Sequence, residues 1–269
     1  MNEFSVLISI YSKEIPIYFH KCLESLYCQT LHANEIVIVK DGILTNELEY
    51  VLSEWKEKLP LKIIGYEENK GLIYALNFGI KFCSYELIAR MDSDDICLPD
   101  RFKKQIDYFS KNQDVVLLSG YISEFNKEPN DIYSIRKVPT GNLNIEKYLK
   151  KRSAFNHMAV MYKKSVVSSV GAYQGIKSLE DYDLWIRIIM AGYKADNLQE
   201  VIVYARIGNN MIGRRSGLVY AKKEIKFLLC QRKRYFISNF ELIKLLFTRI
   251  PLRLLPTKIL TLIYSKYLR

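Results

Sequence analysis

A chain of 269 residues in which 49% of side chains are hydrophobic can bury one large core, or one core with an appendage. Five scattered cysteines (Cys22, Cys28, Cys83, Cys97 and Cys230) form no CxxC pair and fit reduced thiols better than a disulfide framework, and with only His20, His32 and His157 a His-rich zinc centre is not expected. The net charge of +11 is uneven: residues 214–269 hold 14 Lys+Arg against 2 Asp+Glu, whereas residues 1–213 hold 26 against 27. Met1-Asn2-Glu3 leads straight into an apolar run without a basic leader region, so export is not expected.

In chain order, Phe4–Ile10 reads as a buried strand and residues 20–29 as a helix with Cys22, Leu23, Leu26 and Tyr27 on one stripe. Residues 35–39 form a second strand that ends in Lys40-Asp41-Gly42, and residues 46–58 a helix. Leu61–Tyr66 is a strand, Asn69-Lys70-Gly71 turns into the helix Leu72–Phe82, and residues 85–91 are a further strand. Strands separated by helices predict an α/β domain whose mostly parallel central sheet is covered on both faces. Neither GxGxxG nor GxxxxGK[ST] occurs, so a dinucleotide fold or a P-loop has no support.

The last of these strands breaks into Asp92-Ser93-Asp94-Asp95, and Pro99 closes the segment. Open α/β sheets bind ligands at the carboxyl ends of their strands. Carboxylates gathered there repel one another and lose solvation unless a positive charge joins them. Mg²⁺ bound through one or two carboxylates and substrate phosphates would supply it. The competing reading is an acidic turn that caps the next helix. With Asp41 at another strand end, one carboxylate could accept from a base or ribose while the other serves metal and diphosphate; the bland reading of Asp41 is an Asp-Gly turn. Downstream, Glu180, Asp181 and Asp183 occupy the first turn of a helix on which Tyr182, Trp185, Ile186 and Ile189 recur at helical spacing. Acids there either complement the helix dipole or include a general base.

Residues 240–269 interleave Leu, Ile and Phe with Lys244, Arg249, Arg253, Lys258 and Lys266, broken by Pro251 and Pro256. No run approaches the roughly 20 apolar residues of a membrane span. A basic amphipathic helical extension lying on an anionic membrane surface is the expectation. The alternative is a helical pair packed on the protein with a solvated basic face. Nucleic acid is not expected as a partner, because a phosphate-binding face has no need of so many leucines.

Taken together, Asp41, Asn69-Lys70-Gly71 with Asn77, Arg90-Met91-Asp92-Ser93-Asp94-Asp95, Pro99-Asp100-Arg101-Phe102, His157 and Glu180-Asp181-Tyr182-Asp183-Leu184-Trp185-Ile186-Arg187 resemble the inverting family 2 glycosyltransferases. The likeness covers about residues 4–210 and is strongest to bacterial members that build O-antigen or capsular polysaccharide. It implies a GT-A fold in residues 1–213, divided into a nucleotide-sugar half (1–100) and an acceptor half (101–213), with residues 214–269 as the basic extension. It further implies a UDP-sugar donor, a lipid-linked saccharide acceptor, Mn²⁺ or Mg²⁺ as cofactor, and a cytoplasmic enzyme peripheral at the inner face of the cytoplasmic membrane.

By the same resemblance, Ser9 and Tyr11 wall the nucleotide pocket, Asp41 binds uracil, and Lys70 or Asn69 lies near the base or diphosphate. Asp92 lies near the ribose or diphosphate, Asp94 is the metal ligand, and Asp181 is the catalytic base with Glu180 beside it at the substrate. Trp185 and Arg187 either shape the acceptor site or hold their helix in the core. Many relatives carry Tyr-Arg-x-His after the last strand; here Tyr204-Ala205-Arg206-Ile207-Gly208 puts glycine at the histidine position. Arg206, Arg214 or Arg215 is left to neutralise the diphosphate. A non-catalytic nucleotide-sugar-binding protein and a sugar-nucleotide nucleotidyltransferase are the alternatives, the latter without a glycine-rich phosphate loop near the first strand.

Overall fold

The computed structural model describes residues 3–207, 213 and 216–255. Its first half is an alternation of β1 (Phe4–Ile10), α1 (Pro16–Tyr27), β2 (Glu35–Asp41), α2 (Asn46–Trp55), β3 (Leu61–Tyr66), α3 (Leu72–Phe82) and β4 (Leu87–Met91). These strands pair in parallel in the order β3-β2-β1-β4. Strand alternation sorts the side chains. Val6, Ile8, Ile36 and Ile38 face α1 and α2, through Phe19, Leu23, Leu48 and Leu52. Leu7, Val37 and Val39 face α3, through Ala75, Leu76 and Ile80. Helix α1 starts earlier than its apolar stripe suggested, because Pro16 suits a first turn in which an N–H would have no partner. Gly79 sets how closely α3 lies on the sheet: a Cβ there would sit 2.4 Å from Leu7 Cδ1 and 2.7 Å from Val39 Cγ2.

The second half comprises β5 (Ile96–Cys97), α4 (Arg101–Lys111), β6 (Val115–Phe125), β7 (Ile132–Arg136), α5 (Asn142–Leu149), a 3₁₀ turn (His157–Ala159), β8 (Met161–Lys163), α6 (Lys164–Ser169), α7 (Glu180–Met190) and β9 (Lys194–Arg206). Strand β8 is antiparallel to both β4 and β6, β6 is parallel to β9, and β5 closes the edge antiparallel to β9. The parallel four-stranded core thus continues into a mixed half, and the described residues form one nine-stranded sheet.

Two helices follow, α8 (Gly217–Lys233) and α9 (Asn239–Leu254). Phe227, Leu228, Phe236, Ile237 and Leu245 from this region share a buried cluster with Tyr182 and Trp185 of α7. Buried charge joins the same elements. Asp183 of α7 accepts from Gln231 Nε2 (3.0 Å) and Arg234 Nη1 (2.5 Å), while Glu224 of α8, 0% exposed, pairs with Arg249 and with Arg253 Nε (2.7 Å) of α9. Ser238 and Glu241 form a capping box at the start of α9, which runs through Pro251. The described part of the extension is therefore a helical pair packed on the body, with its exposed cations outside. Arg214, Arg215, Gly208, Pro256, Lys258 and Lys266 lie outside the described residues. Among those described, no helix is long and apolar enough to cross a membrane.

Candidate active site

Strands β2, β1 and β4 end along one edge of the sheet, and chain geometry crowds acids there. Arg101, fully buried, holds the exit of β4: its Nη2 donates to the Arg90 carbonyl (2.7 Å) and its Nε to Gln105 (3.2 Å). This accounts for the Pro-Asp-Arg-Phe segment as a clamp behind the acidic turn. Helix α4 begins only at Arg101 and Asp100 caps it with no side-chain bond, so the acids at 92–95 cap no helix. Asp92 instead pairs with buried Arg90, and the Ser93 hydroxyl donates to Glu14 from the loop after β1. Asp95 is buried; its Oδ1 accepts the Arg206 N–H (2.7 Å), and its Oδ2 has no protein partner. Arg206 lies over the Tyr18 ring (3.7 Å) and donates to the carbonyls of Asp94 (3.2 Å) and Lys127 (2.8 Å), with Nη2 buried and unpartnered.

The electrostatic consequence is large. Burial, then the neighbouring charges of Asp92 and Glu14, push the Asp94 carboxyl up to about 7. Burial and Asp94 likewise raise Asp95 well above the carboxylate range. Acids so short of positive charge, all offering hard oxygen, are a donor set suited to Mg²⁺ or Mn²⁺. Among the described residues no group of three or more His, Cys, Asp or Glu is arranged to hold a cation by protein alone. A cation here would draw on Asp94, with Asp92 or Asp95 close in sequence, and on phosphate oxygens of a ligand.

Asp41, 6% exposed, is a hub at the end of β2. Its carboxylate accepts from the Tyr66 hydroxyl (2.9 Å) and from the backbone N–H of Lys70 (2.7 Å) and Gly71 (3.0 Å). It therefore fastens the turn before α3, and Tyr66 becomes a weaker acid through burial and this bond. Gly42, at φ +92°, allows the close crossing: a Cβ there would meet Asn69 N at 2.9 Å. Lys70 Nζ lies over the Tyr74 ring (4.8 Å). Ser9 is half-buried near the end of β1, and Tyr11 just beyond it is 42% exposed.

The third component is the start of α7. Asp181 is half-buried and Glu180 buried, with the Glu180 carboxyl raised by burial and by Asp181. The segment before them is tied down from several sides. Asn77 of α3 exchanges two hydrogen bonds with the Tyr173 backbone (2.7 and 2.9 Å), and the Tyr173 hydroxyl meets His157 Nε2 (3.0 Å). Ala172 (φ 52°) and Ser178 (φ 78°) hold left-handed backbone in that segment, a conformation costly outside glycine. Tyr173 also feels the charges of Arg90 and Asp181, which couples the acidic turn electrostatically to α7.

Of the two roles left open for Trp185 and Arg187, packing supports the anchoring one. Trp185 is 0% exposed beside Phe155, Tyr173 and His157. Arg187 spends its guanidinium on Asp183 (2.8 Å) and on the Val170 and Ala172 carbonyls. Glu14, Arg90, Asp95 and Tyr173 received no role from the sequence. Glu14 offered a faint signal, an acid in the loop that follows the first strand, whereas Arg90 and Tyr173 acquire their place only through tertiary packing.

Parallel strands that end in a carboxylate cluster place a ligand site at this edge of the sheet. The profile of the family described as "Glycosyl transferase family 2" matches residues 5–169, and the chain belongs to that family. It is 41% identical to the Escherichia coli UDP-Gal:alpha-D-GlcNAc-diphosphoundecaprenol beta-1,3-galactosyltransferase, over 99% of this chain and 97% of that protein. It is 40% identical to the amylovoran biosynthesis glycosyltransferase AmsE of Erwinia amylovora, over 98% of each. Among solved structures, Staphylococcus aureus TarS 1-349 in complex with UDP-GlcNAc superposes with a TM-score of 0.62 at 19% identity, over 84% of this chain and 66% of that one. The Pyrobaculum calidifontis mannosyltransferase PcManGT gives 0.65 at 16% identity, over 98% of this chain and 75% of that one. The fold is that of the GT-A glycosyltransferases.

Proposed function

We propose that this chain is an inverting, metal-dependent glycosyltransferase. It moves a sugar from a UDP-sugar to a hydroxyl of a lipid-linked saccharide during bacterial surface polysaccharide synthesis, at the inner face of the cytoplasmic membrane. The observation that carries this reading is the under-neutralised acidic turn at the end of β4, where Asp94 is pushed up to about 7. Similarity along the whole chain to an enzyme whose name specifies UDP-Gal and a diphosphoundecaprenol acceptor supports the choice of donor and acceptor.

In this mechanism Asp41 and the turn it fastens border the base, with Ser9, Tyr11 and Lys70 beside it, and Asp92 serves the ribose or diphosphate. Asp181 takes the proton of the acceptor hydroxyl, and the freed oxygen attacks the anomeric carbon on the face opposite UDP, so the new bond forms with inversion as the old one breaks. Glu180, its carboxyl raised by burial and by Asp181, lies beside the base at the substrate. The unpartnered Nη2 of Arg206 faces the charge that develops on departing UDP. Mn²⁺ or Mg²⁺, held at Asp94, would supply charge neutralisation to the same leaving group.

The test is calorimetric UDP binding with and without Mn²⁺, on the wild type and on Asp94→Ala. Metal-dependent binding that the substitution abolishes is expected. UDP affinity that ignores both Mn²⁺ and the substitution would refute the metal role, and no UDP binding at all would refute the donor assignment.

A further inference from the structure

A cavity of about 570 Å³ opens between α5 and α9, away from the acidic turn. Its wall holds seven basic side chains and one acidic one, Glu241. Arg249 and Arg253 are committed to Glu224, and Lys150 lies 3.5 Å from Glu241. Lys147, Lys151, Arg152 and Lys244 line the cavity with no acidic partner among the described residues. The apolar part of the wall is Phe240, Leu245 and Leu252.

Beside this cavity α9 exposes an apolar stripe. Phe240 (76%), Ile243, Phe247 (78%) and Leu254 are exposed and recur at helical spacing. Buried Glu224 and the capping box hold α9 in place, so the stripe and the basic wall keep a fixed relation. A cationic recess next to outward-facing aromatic and aliphatic side chains matches the interface of a bilayer, where phosphate and acyl chain lie within one lipid.

We propose that this cavity binds the phosphate headgroup of an anionic membrane lipid, with the Phe240–Phe247 stripe set against its acyl chains. The inference deepens the membrane docking of the proposed function and rests on that part of it. Charge selects this occupant. Residues 256–269 carry Lys258, Lys266 and Arg269 and no acid, and a second copy would bring the same cations, so both would meet like charge.

The experiment is vesicle sedimentation of the full chain, with phosphatidylcholine alone, with added phosphatidylglycerol, and with a trace of polyprenyl diphosphate instead. The wild type should sediment with the phosphatidylglycerol vesicles only, and should do so in millimolar inorganic phosphate. Lys147→Gln/Lys151→Gln/Lys244→Gln should weaken this partitioning about a hundredfold, at the usual contribution of each basic residue near an anionic surface. The control Lys222→Gln/Lys223→Gln/Lys226→Gln, on α8 outside the cavity wall, should partition as the wild type. Equal loss in both variants would overturn the site in favour of diffuse charge, and no loss in the first would overturn it outright. Preference for polyprenyl diphosphate would reassign the cavity to the acceptor, and competition by inorganic phosphate would reassign it to a free anion. UDP calorimetry on the same variants reports the donor site independently, so failure of vesicle binding and failure of the transferase reading are separable.

Discussion

Asp94→Asn is expected to stabilise the metal-free protein at alkaline pH while disabling it. Burial and the neighbouring acids push the wild-type carboxyl up to about 7 in the fold, from 3.8 for the unperturbed group. Folding therefore takes up a proton between about pH 4 and 7, and stability falls as pH rises through that window. A shift of about three units corresponds to a penalty of about 4 kcal/mol at pH 8 and roughly 2 kcal/mol at pH 5. Asparagine keeps the shape and removes the charge, so its advantage should be larger at pH 8 by about 2–3 kcal/mol, or roughly 5–10 °C in Tm for a chain of this size. Thermal unfolding in EDTA at the two pH values reads this directly. Adding Mn²⁺ with UDP should narrow the gap at pH 8 without closing it, since only the wild type gains, by about 2.7 kcal/mol at a hundredfold excess over Kd. A variant that is no more stable than wild type at pH 8, or whose advantage does not change with pH, would refute the claim that crowding and burial strain this carboxylate.

Asp181→Asn should lower transfer by about 10²–10⁴-fold while UDP binding stays within error, and parallel loss of both would remove Asp181 from the base role. Glu224→Gln leaves two arginines facing a buried site without their countercharge, and should cost about 3–5 kcal/mol in denaturant unfolding. Gly79→Ala drives a methyl into Leu7 and Val39 and should cost roughly 1–3 kcal/mol, with UDP affinity falling as α3 shifts.

The first half of the fold was legible because each signal there is local. Phe4–Ile10, Leu61–Tyr66 and Leu72–Phe82 carry their periodicity and turn residues within the segment itself, and their observed bounds match. The mixed half resisted reading: β5 is two residues long and β8 three, and their pairing with β9, β4 and β6 depends on residues far away in the chain. The site divides in the same way. Asp94 and Asp41 betray themselves by standing at the ends of apolar runs. Glu14 gains its meaning from Ser93, and Arg90 and Tyr173 from each other. Asp183 misled in an instructive manner, since an acid in a first helical turn suggested the dipole, yet its partners are Arg187, Gln231 and Arg234.

The ion pairs that fasten α8 and α9 also bear on how such enzymes can be recombined. Asp183 shares a helix with Asp181 and draws countercharge both from Arg187 of that helix and from Arg234 at the end of α8; Glu224 of α8 finds its own on α9. A graft that exchanged the last two helices for those of another family member would leave Asp183 only Arg187 of its own helix, unless the donor supplied an amide at the place of Gln231 and a cation at the place of Arg234. The workable seam for a chimaera therefore lies upstream of α7, so that α7 and the last two helices travel as one cassette.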